Sequence, residues 1–532
     1  MIWRPAGAGK SHGRCLCEIC AAGALEPDES GAPSLARRPF LAGLATAFAA
    51  APLVAHAAPT RRTRTTPLVL EPSWVLAYQS GNLTLLRDHS VVIQGDRIAE
   101  IIPGRVKGTN ARLAMPGQLL LPGLISSHTH VACGSPTRGL IESGGRSYAP
   151  VLAIMETLDD EDLDALTAYN LAEILRAGCT TQIEQSISLK LAKSYVRVAS
   201  RWGVRGFPGG MTPGWSRLIP IWRRTQDSAL FDSVPETLRE VEANLQYALS
   251  INGAEEGRIV PMMTPHGPET HTAETLRAVA LAAKQLGNGV HTHLATSDRD
   301  SAIIKRLWGK GPVQWIDEFG FYDQRLFGAH LGGWDVTSDP AFLAKKPLFS
   351  YAHCPSGAGA GSGQANQPFI EALGAGLNTT IGIDTHSNDM VENMKLAVLY
   401  GRARFGQIGA RSPTPVRSPT VMDMVRSATL NPANGLGRTD LGRIAVGAKA
   451  DLTSIDLSDF LVGAGTTPRE PLNNILYANG QSVRHVFTDG VAQVRDGRLI
   501  VDDPARVRVQ GARVVEKIWD QLQADGWFKL AP

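Results

Sequence analysis

Nine of the 13 histidines in this 532-residue chain fall between positions 128 and 386: His128, His130, His266, His271, His291, His293, His330, His353 and His386. Imidazole ligates metals and moves protons near neutral pH, so this clustering points to a metal centre or a proton-transfer site. His128-Thr129-His130 is an H-x-H pair. In an extended strand residues i and i+2 point to the same side, so both rings can reach one ion. A third imidazole is offered by Val290-His-Thr-His-Leu-Ala295 and a carboxylate by Ile381-Gly-Ile-Asp384. Three nitrogens and one hard oxygen suit a single Zn²⁺, with Fe²⁺ as the alternative, and leave one position for water.

Such groups converge only if the elements carrying them do. Short apolar or β-branched runs at Leu120–Ser126, Thr180–Glu184, Val204–Phe207, Ile259–Thr264, Gly289–Thr292, Leu326–Ala329, Leu348–Ala352 and Thr379–Ile383 alternate with helical patterns such as Glu161–Ala177, Val234–Ser250, Ala273–Leu286 and Glu392–Arg404. Eight βα units over about 300 residues predict an α/β chain with a (β/α)8 barrel at 120–438. An open doubly wound sheet fits less well, because no phosphate-binding glycine fingerprint follows the first strand. Six of these strands end at or just before one of the histidines or Asp384, where barrel active sites are built. Hairpin grammar on either side, around Gly95-Asp96, Asp489-Gly490 and Asp496-Gly497, predicts a small β-sandwich made from 67–119 and 439–506. Residues 507–532 read as a C-terminal helical tail.

Composition narrows the classes. Apolar residues at 43% and charged residues at 19% are those of a folded protein, and 53 Lys+Arg against 50 Asp+Glu leave a net charge of only +3. No field is available to draw in nucleic acid. Arg37-Arg38-Pro-Phe-Leu, a short Ala-rich apolar run and the ending Ala55-His56-Ala57 have the layout of a twin-arginine-type signal peptide within a leader at 1–57, so a periplasmic location without a membrane span is expected. Cleavage would leave Cys133, Cys179 and Cys354, none with an obvious partner. Cys133, close to the H-x-H pair, reads as a packed thiol rather than a nucleophile. A small-molecule substrate is expected, and a homo-oligomer is compatible with the composition.

The segments Leu121-Pro-Gly-Leu-Ile…His128-Thr-His130, Ala177-Gly-Cys-Thr-Thr181, Thr264-Pro-His-Gly-Pro268, His291-Thr-His-Leu294, Gly328-Ala-His330, Gly382-Ile-Asp384 and Gly442-Arg-Ile-Ala-Val-Gly-Ala-Lys-Ala-Asp451 together resemble the amidohydrolase superfamily. The likeness is to its branch of mononuclear-metal deaminases and triazine hydrolases, which includes adenosylhomocysteine/methylthioadenosine and guanine deaminases. The resemblance implies a (β/α)8 barrel with a β-sandwich from both chain ends, and metal ligation by His128, His130, His293 and Asp384. It further implies that His330 orients or deprotonates the nucleophilic water and that His266 contacts substrate. Two-metal members carry a modified Lys at the end of the fourth strand; Pro261-Met-Met-Thr-Pro-His266 has none, so one metal is expected.

The implied chemistry is hydrolysis of a non-peptide carbon–nitrogen bond, either deamination of an N-heterocycle or cleavage of an amide or urea. Asp384 would move the proton of the activated water to the leaving nitrogen, while His330 would hold the developing oxyanion. The alternative is an exported metal- or ligand-binding protein without turnover. One departure bears on the substrate. The position where purine-type deaminases carry a ring-protonating Glu is Thr296 in this chain. Glu184 or Asp298 would have to supply that acid, or the substrate is an amide-like carbonyl. His353-Cys-Pro-Ser356 resembles a family stretch that ordinarily has Asn in the second position, and it places His353 with Thr296 and Glu184 among substrate-facing candidates. The run Gly357–Gly363 that follows reads as a mobile loop and lacks the Gly-Lys-Ser/Thr ending of a phosphate cradle. His386 is either near the metal or substrate and facing it, or exposed. The aromatic segment Gly206–Phe231 either lines the pocket or packs on neighbouring helices.

Overall fold

A computed structural model of the chain describes residues 66–106, 108, 111–140, 148–358, 367–463 and 468–528. The leader at 1–57 and most of the Gly357–Gly363 run lie outside the described residues. No described helix is long and apolar enough to cross a membrane.

The described residues start with strands β1 (Leu68–Gln79), β2 (Asn82–Arg87), β3 (His89–Gln94), β4 (Arg97–Pro103) and β5 (Ala111–Pro122). Eight more strands follow: β6 (Leu124–Thr129), β7 (Cys179–Ser186), β8 (Arg205–Thr212), β9 (Thr264–Pro265), β10 (Val290–Leu294), β11 (Leu326–His330), β12 (Phe349–His353) and β13 (Asn378–Ile381). The last four are β14 (Leu452–Asp456), β15 (Val483–Thr488), β16 (Val491–Arg495) and β17 (Arg498–Leu499).

Both ends of the chain build one nine-stranded sheet in the order β17-β16-β15-β14-β5-β1-β3-β4, with β2 beside β1. Ile93 and Ile98, next to one sheet edge, share a buried cluster with Leu120, Leu452 and Phe487, so the sheet folds over on itself as a sandwich. Its two ends nearly touch: a Cβ on Gly490 would come within 2.5 Å of the Gly95 carbonyl. The hairpin turns around Gly95 and Gly490 use the positive φ that glycine adopts without strain.

The strands β6 to β9 form one parallel sheet and β10 to β13 another. The seams between them are closed. On one side His291 N–H donates to Met263 and His293 N–H to His266, both at 3.0 Å; on the other, Asp384 N–H donates to His128 at 3.0 Å. The result is a closed eight-stranded barrel wrapped by helices, some of whose starts are capped by side chains, such as Asp159 accepting from the Asp162 N–H at 2.8 Å.

Three boundaries differ from the sequence reading. Of the run Ile259–Thr264 only Thr264 is in a strand, Thr264–Pro265, with isolated bridges at Ile259 and Met263. The run Leu120–Ser126 is not one strand. Leu120 and Leu121 belong to the sandwich, pairing with β14, and the barrel strand begins at Leu124 against Cys179. Gly123 makes the crossing, and a Cβ there would lie 2.3 Å from Thr180 Oγ1. Nor is the chain end a tail. The helix Pro504–Ala524 lies against the barrel helix Asp160–Arg176 so closely that a Cβ on Gly511 would sit 2.3 Å from the Tyr169 Cβ. Arg513 and Lys517 each reach Asp162 at 2.6 Å, and the Trp519 indole N–H donates to the Pro136 carbonyl at 2.9 Å.

At the N-terminal mouth of the barrel, facing the sandwich, Arg205 meets Asp451 at 2.8 Å and Asp489 at 2.5 Å with its side chain fully buried. Arg258 and Lys449 reach the same Asp489 at 3.3 Å each.

Candidate active site

At the opposite mouth the strand ends bring the predicted ligands together. Donor atoms of His128, His130 and His293 lie within 4.8 Å of one another, and so do those of His128, His330 and Asp384. The Asp384 Oδ1 is 3.7 Å from His130 Nε2 and 3.9 Å from His128 Nε2, and the Nε2 atoms of His130 and His293 are 3.4 Å apart. The far side of two of the rings is anchored. His128 Nδ1 is 2.7 Å from His291 Nε2, and His130 Nδ1 is 2.5 Å from the Gln185 carbonyl. That leaves the inward nitrogens as the ligating ones, and His128 Nε2 is buried with no hydrogen-bond partner.

Burial, reinforced by the neighbouring imidazoles, holds His128 and His293 well below the ordinary histidine pKa, and burial lowers His130 as well. These rings are therefore neutral and offer lone pairs. Burial alone would raise Asp384, but His330, His386 and His130 outweigh it and hold the carboxyl below its usual range. Neutral imidazoles, an anionic oxygen and an orphaned buried nitrogen fit a divalent cation. The backbone of this mouth carries four non-glycine residues with positive φ, Ala295, His330, Leu331 and Asp384, a conformation uncommon for non-glycine residues.

His330 stacks 5.1 Å from His293 at 23°, with Gln367 Nε2 3.4 Å from its Nδ1. The cavity in front of the cluster is lined by His130, His266, His293, Thr296, His330, Asp384 and His386. His266 and Thr296 thus stand where the sequence reading put them, and His386 faces the cavity rather than solvent. The aromatic segment resolves the same way: Met211, Trp215 and Trp222 form an apolar wall with Tyr148, whose ring stacks on Trp215 at 6.2 Å.

Three candidates are not in the cavity. Glu184 turns away and accepts from the Val131 N–H at 3.0 Å and from Ser186 Oγ at 2.7 Å. Burial pushes it up to about 8, and it secures the turn after His130 instead of facing substrate. His353 packs 4.7 Å from Phe369 in a stacked arrangement and has Gln367 Oε1 2.8 Å from its Nδ1, so it stands behind His330. Asp298 is exposed at the start of the helix Asp298–Trp308. Cys133 is buried, and its thiol is pushed well up by that burial, as a packed rather than nucleophilic thiol requires.

Two acids that sequence reasoning missed do line the cavity. Glu269, on the turn after β9, approaches His266 Nδ1 at 3.1 Å. Asp300, in the first turn of the helix after β10, is 3% exposed. The sequence signal for the first is Gly267-Pro-Glu269, since a Cβ on Gly267 would collide with the Glu269 carboxylate. His291 was legible as the other half of His-Thr-His, but its role as the anchor of His128 was not.

Comparison with known proteins agrees with this geometry. The model of the amidohydrolase family matches residues 119–492. A 5-methylthioadenosine/S-adenosylhomocysteine deaminase of Haloarcula marismortui is 30% identical over 82% of this chain and 97% of its own length. One from Desulfitobacterium hafniense is 27% identical over 83% and 94%. Among solved structures, an adenosine deaminase of Xanthomonas campestris with bound zinc superposes with a TM-score of 0.68 at 23% identity, covering 85% of this chain and 98% of that one. Atrazine chlorohydrolase of Arthrobacter aurescens, complexed with zinc, gives 0.71 at 18%, covering 84% and 100%. These two share the fold.

Proposed function

Because the chain belongs to the amidohydrolase family, we propose that it is a metal-dependent hydrolase that removes an amino group from a small N-heterocycle. The observation that carries the reading is the convergence of His128, His130, His293 and Asp384 on one point at the C-terminal mouth of the barrel. The curated relatives, named as deaminases of adenine nucleosides, support a planar heterocyclic substrate, and so does the Tyr148, Trp215 and Trp222 wall.

His128, His130, His293 and Asp384 would hold one divalent ion, and the donor set favours Zn²⁺ over Fe²⁺. Such an ion lowers the pKa of a coordinated water from nearly 16 to around 7 and so supplies hydroxide at neutral pH. Asp384, anionic beside it, carries a proton from the attacking oxygen to the departing nitrogen. His330, braced by Gln367, donates to the oxygen on which negative charge builds. His266 and Thr296 meet the substrate from the side, and the aromatic wall orients its ring and excludes water.

The test is mass spectrometry of products after metal-loaded protein meets aminated heterocycles, N-acyl amides and ureas, with Asp384→Asn as the blank and the bound metal counted by elemental analysis. A ring product with oxygen replacing nitrogen, and one ion per chain, supports the reading. Fragments of acid and amine would replace it with amide hydrolysis. No turnover at full metal occupancy would turn it into a binding protein. We also read residues 37–57 as an export signal, on the strength of Arg37-Arg38 and Ala55-His56-Ala57. A mature N-terminus at Ala58 in the periplasmic fraction tests that.

A further inference from the structure

Glu269 and Asp300 are the two cavity carboxyls that the metal cluster leaves unused. Both are 3% exposed, yet their surroundings differ. Glu269 is paired with His266 Nδ1 at 3.1 Å. Asp300 has one oxygen, Oδ2, accepting from Ser297 Oγ at 2.7 Å. Its Oδ1 is buried and makes no hydrogen bond, with Arg299 Nη1 standing off at 3.8 Å. An acid in the cavity wall with one oxygen satisfied and the other bare is equipped to meet a polar atom of a bound molecule. His266 joins the two regions, its ring 4.9 Å from that of His293.

We propose that Asp300 is the acid that protonates the ring nitrogen beside the carbon under attack, with the Glu269–His266 pair setting its charge; this rests on the deamination reading above. The groups facing Asp300 are Glu269 and His266 from the segment after β9 and Arg299 from its own helix, with Arg224 facing Glu269. Burial first, and then the charge of Glu269, pushes Asp300 up to about 7, whereas Glu269 is lowered: burial would raise it, and the hydrogen bond and charge of His266 outweigh that. Two carboxyls whose surroundings drive them apart divide into a charged partner and a proton donor.

The step balances. A carbon bearing an amino group next to a C=N ring nitrogen is attacked by hydroxide, and a C–O bond forms. The C=N electron pair moves to the ring nitrogen, which takes the Asp300 proton. The hydroxyl proton passes through Asp384 to the amino nitrogen, the C–N bond breaks, and ammonia leaves with that pair. The product is a lactam with a ring N–H. The proton that water gave up on ionising restores Asp300.

Infrared spectroscopy of the wild-type protein without substrate reads the protonated carboxyl directly, alongside pH profiles of kcat/KM for a substrate identified by the product panel. We expect protonated-carboxyl absorbance with two components near neutral pH, one from Glu184 that persists in Asp300→Asn and one that fades as pH rises through about 7 and is lost in Asp300→Asn. In that variant kcat drops by ~100-fold or more with KM changed only a few-fold. In Glu269→Gln, which takes away the neighbouring charge, the fall in both band and rate moves to lower pH. Asp300→Asn with kcat within about threefold of wild type, or with no component of the protonated-carboxyl absorbance lost relative to wild type, would overturn the assignment. If circular dichroism finds Asp300→Asn unfolded, the Glu269→Gln shift decides in its place: no movement overturns it. If the metal-loaded wild type deaminates no heterocycle, the assignment falls with the deamination reading. The failures are distinguishable, because only the former leave wild-type turnover intact.

Discussion

At the N-terminal mouth of the barrel Asp489 is shared by Arg205, Arg258 and Lys449, and Asp451 takes two nitrogens of Arg205. At the C-terminal mouth, His128 Nε2, His293 Nδ1 and Asp300 Oδ1 are buried with no hydrogen-bond partner. The same eight strands therefore end in two kinds of polar interior. One pairs its charges within the chain, although Arg205 Nη1 and Arg258 Nε make no hydrogen bond, and joins barrel to sandwich. The other carries desolvated polar atoms at a cost of about 1–3 kcal/mol each, a cost offset when ions and substrate supply the missing partners. The positive φ values of Ala295, His330, Leu331 and Asp384 add to it on the second side, against one such residue, Asp489, on the first. Stability resides at one mouth and chemistry at the other, the division expected of this architecture.

That contrast can be broken from either end. Asp384→Asn is expected to lower kcat by ~10²–10⁴-fold while leaving the melting temperature at or above wild type, because Asn tolerates the left-handed backbone at this position. Arg205→Leu should do the converse. Removing the buried cation strands Asp451 and Asp489, so the unfolding free energy from denaturant titration falls by about 3–5 kcal/mol, with kcat per folded molecule unchanged. A smaller effect is expected of His291→Ala. Loss of the ring that holds His128 should weaken metal binding by about 10–100-fold in a chelator competition, with little change in stability. The smallest effect sharpens the contrast through pH. Burial would raise Asp489, but Arg205, Lys449 and Arg258 outweigh it and hold it below the usual carboxylate range. Its contribution is therefore present above that range and lost as pH falls through it. Asp489→Asn should flatten the acid limb of a stability-versus-pH curve, at the expense of stability at neutral pH.

The barrel and the metal cluster were legible in the sequence because both have local signatures: β-branched runs of fixed length, and histidines two apart at the ends of those runs. His128, His130, His293 and Asp384 needed no knowledge of which strands touch, and the role of His330 was implied by the family resemblance. Glu269 and Asp300 did, since they meet only because the turn after β9 and the helix after β10 converge on one wall. Glu184 misled for the same reason. Its position at a strand end is that of a site residue, and only the placement of the Val131 N–H turns it away. Gly123 escaped notice because the apolar run on either side of it never breaks, although its first half serves the sandwich and its second half the barrel. The helix Pro504–Ala524 has a readable apolar stripe at Val507, Val514, Ile518 and Leu522, but nothing in that stripe says what it covers.

The pairing of β5 with β14 also has a consequence for how the molecule is made. The two strands flank the entire barrel, so a nascent chain leaves the ribosome with one side of β5 bare. At roughly 5–20 residues per second its partner is tens of seconds away. In that interval Leu119, Leu120 and Leu121, all fully buried in the finished protein, form an open apolar edge of the sort that recruits other chains. Closure comes from β14 and the segments that follow it, and the helix Pro504–Ala524 clamps Pro136, a few residues past His130. Ribosomes stalled before Leu452 would therefore release the species most prone to aggregate, and one in which the segment after His130 still lacks its clamp.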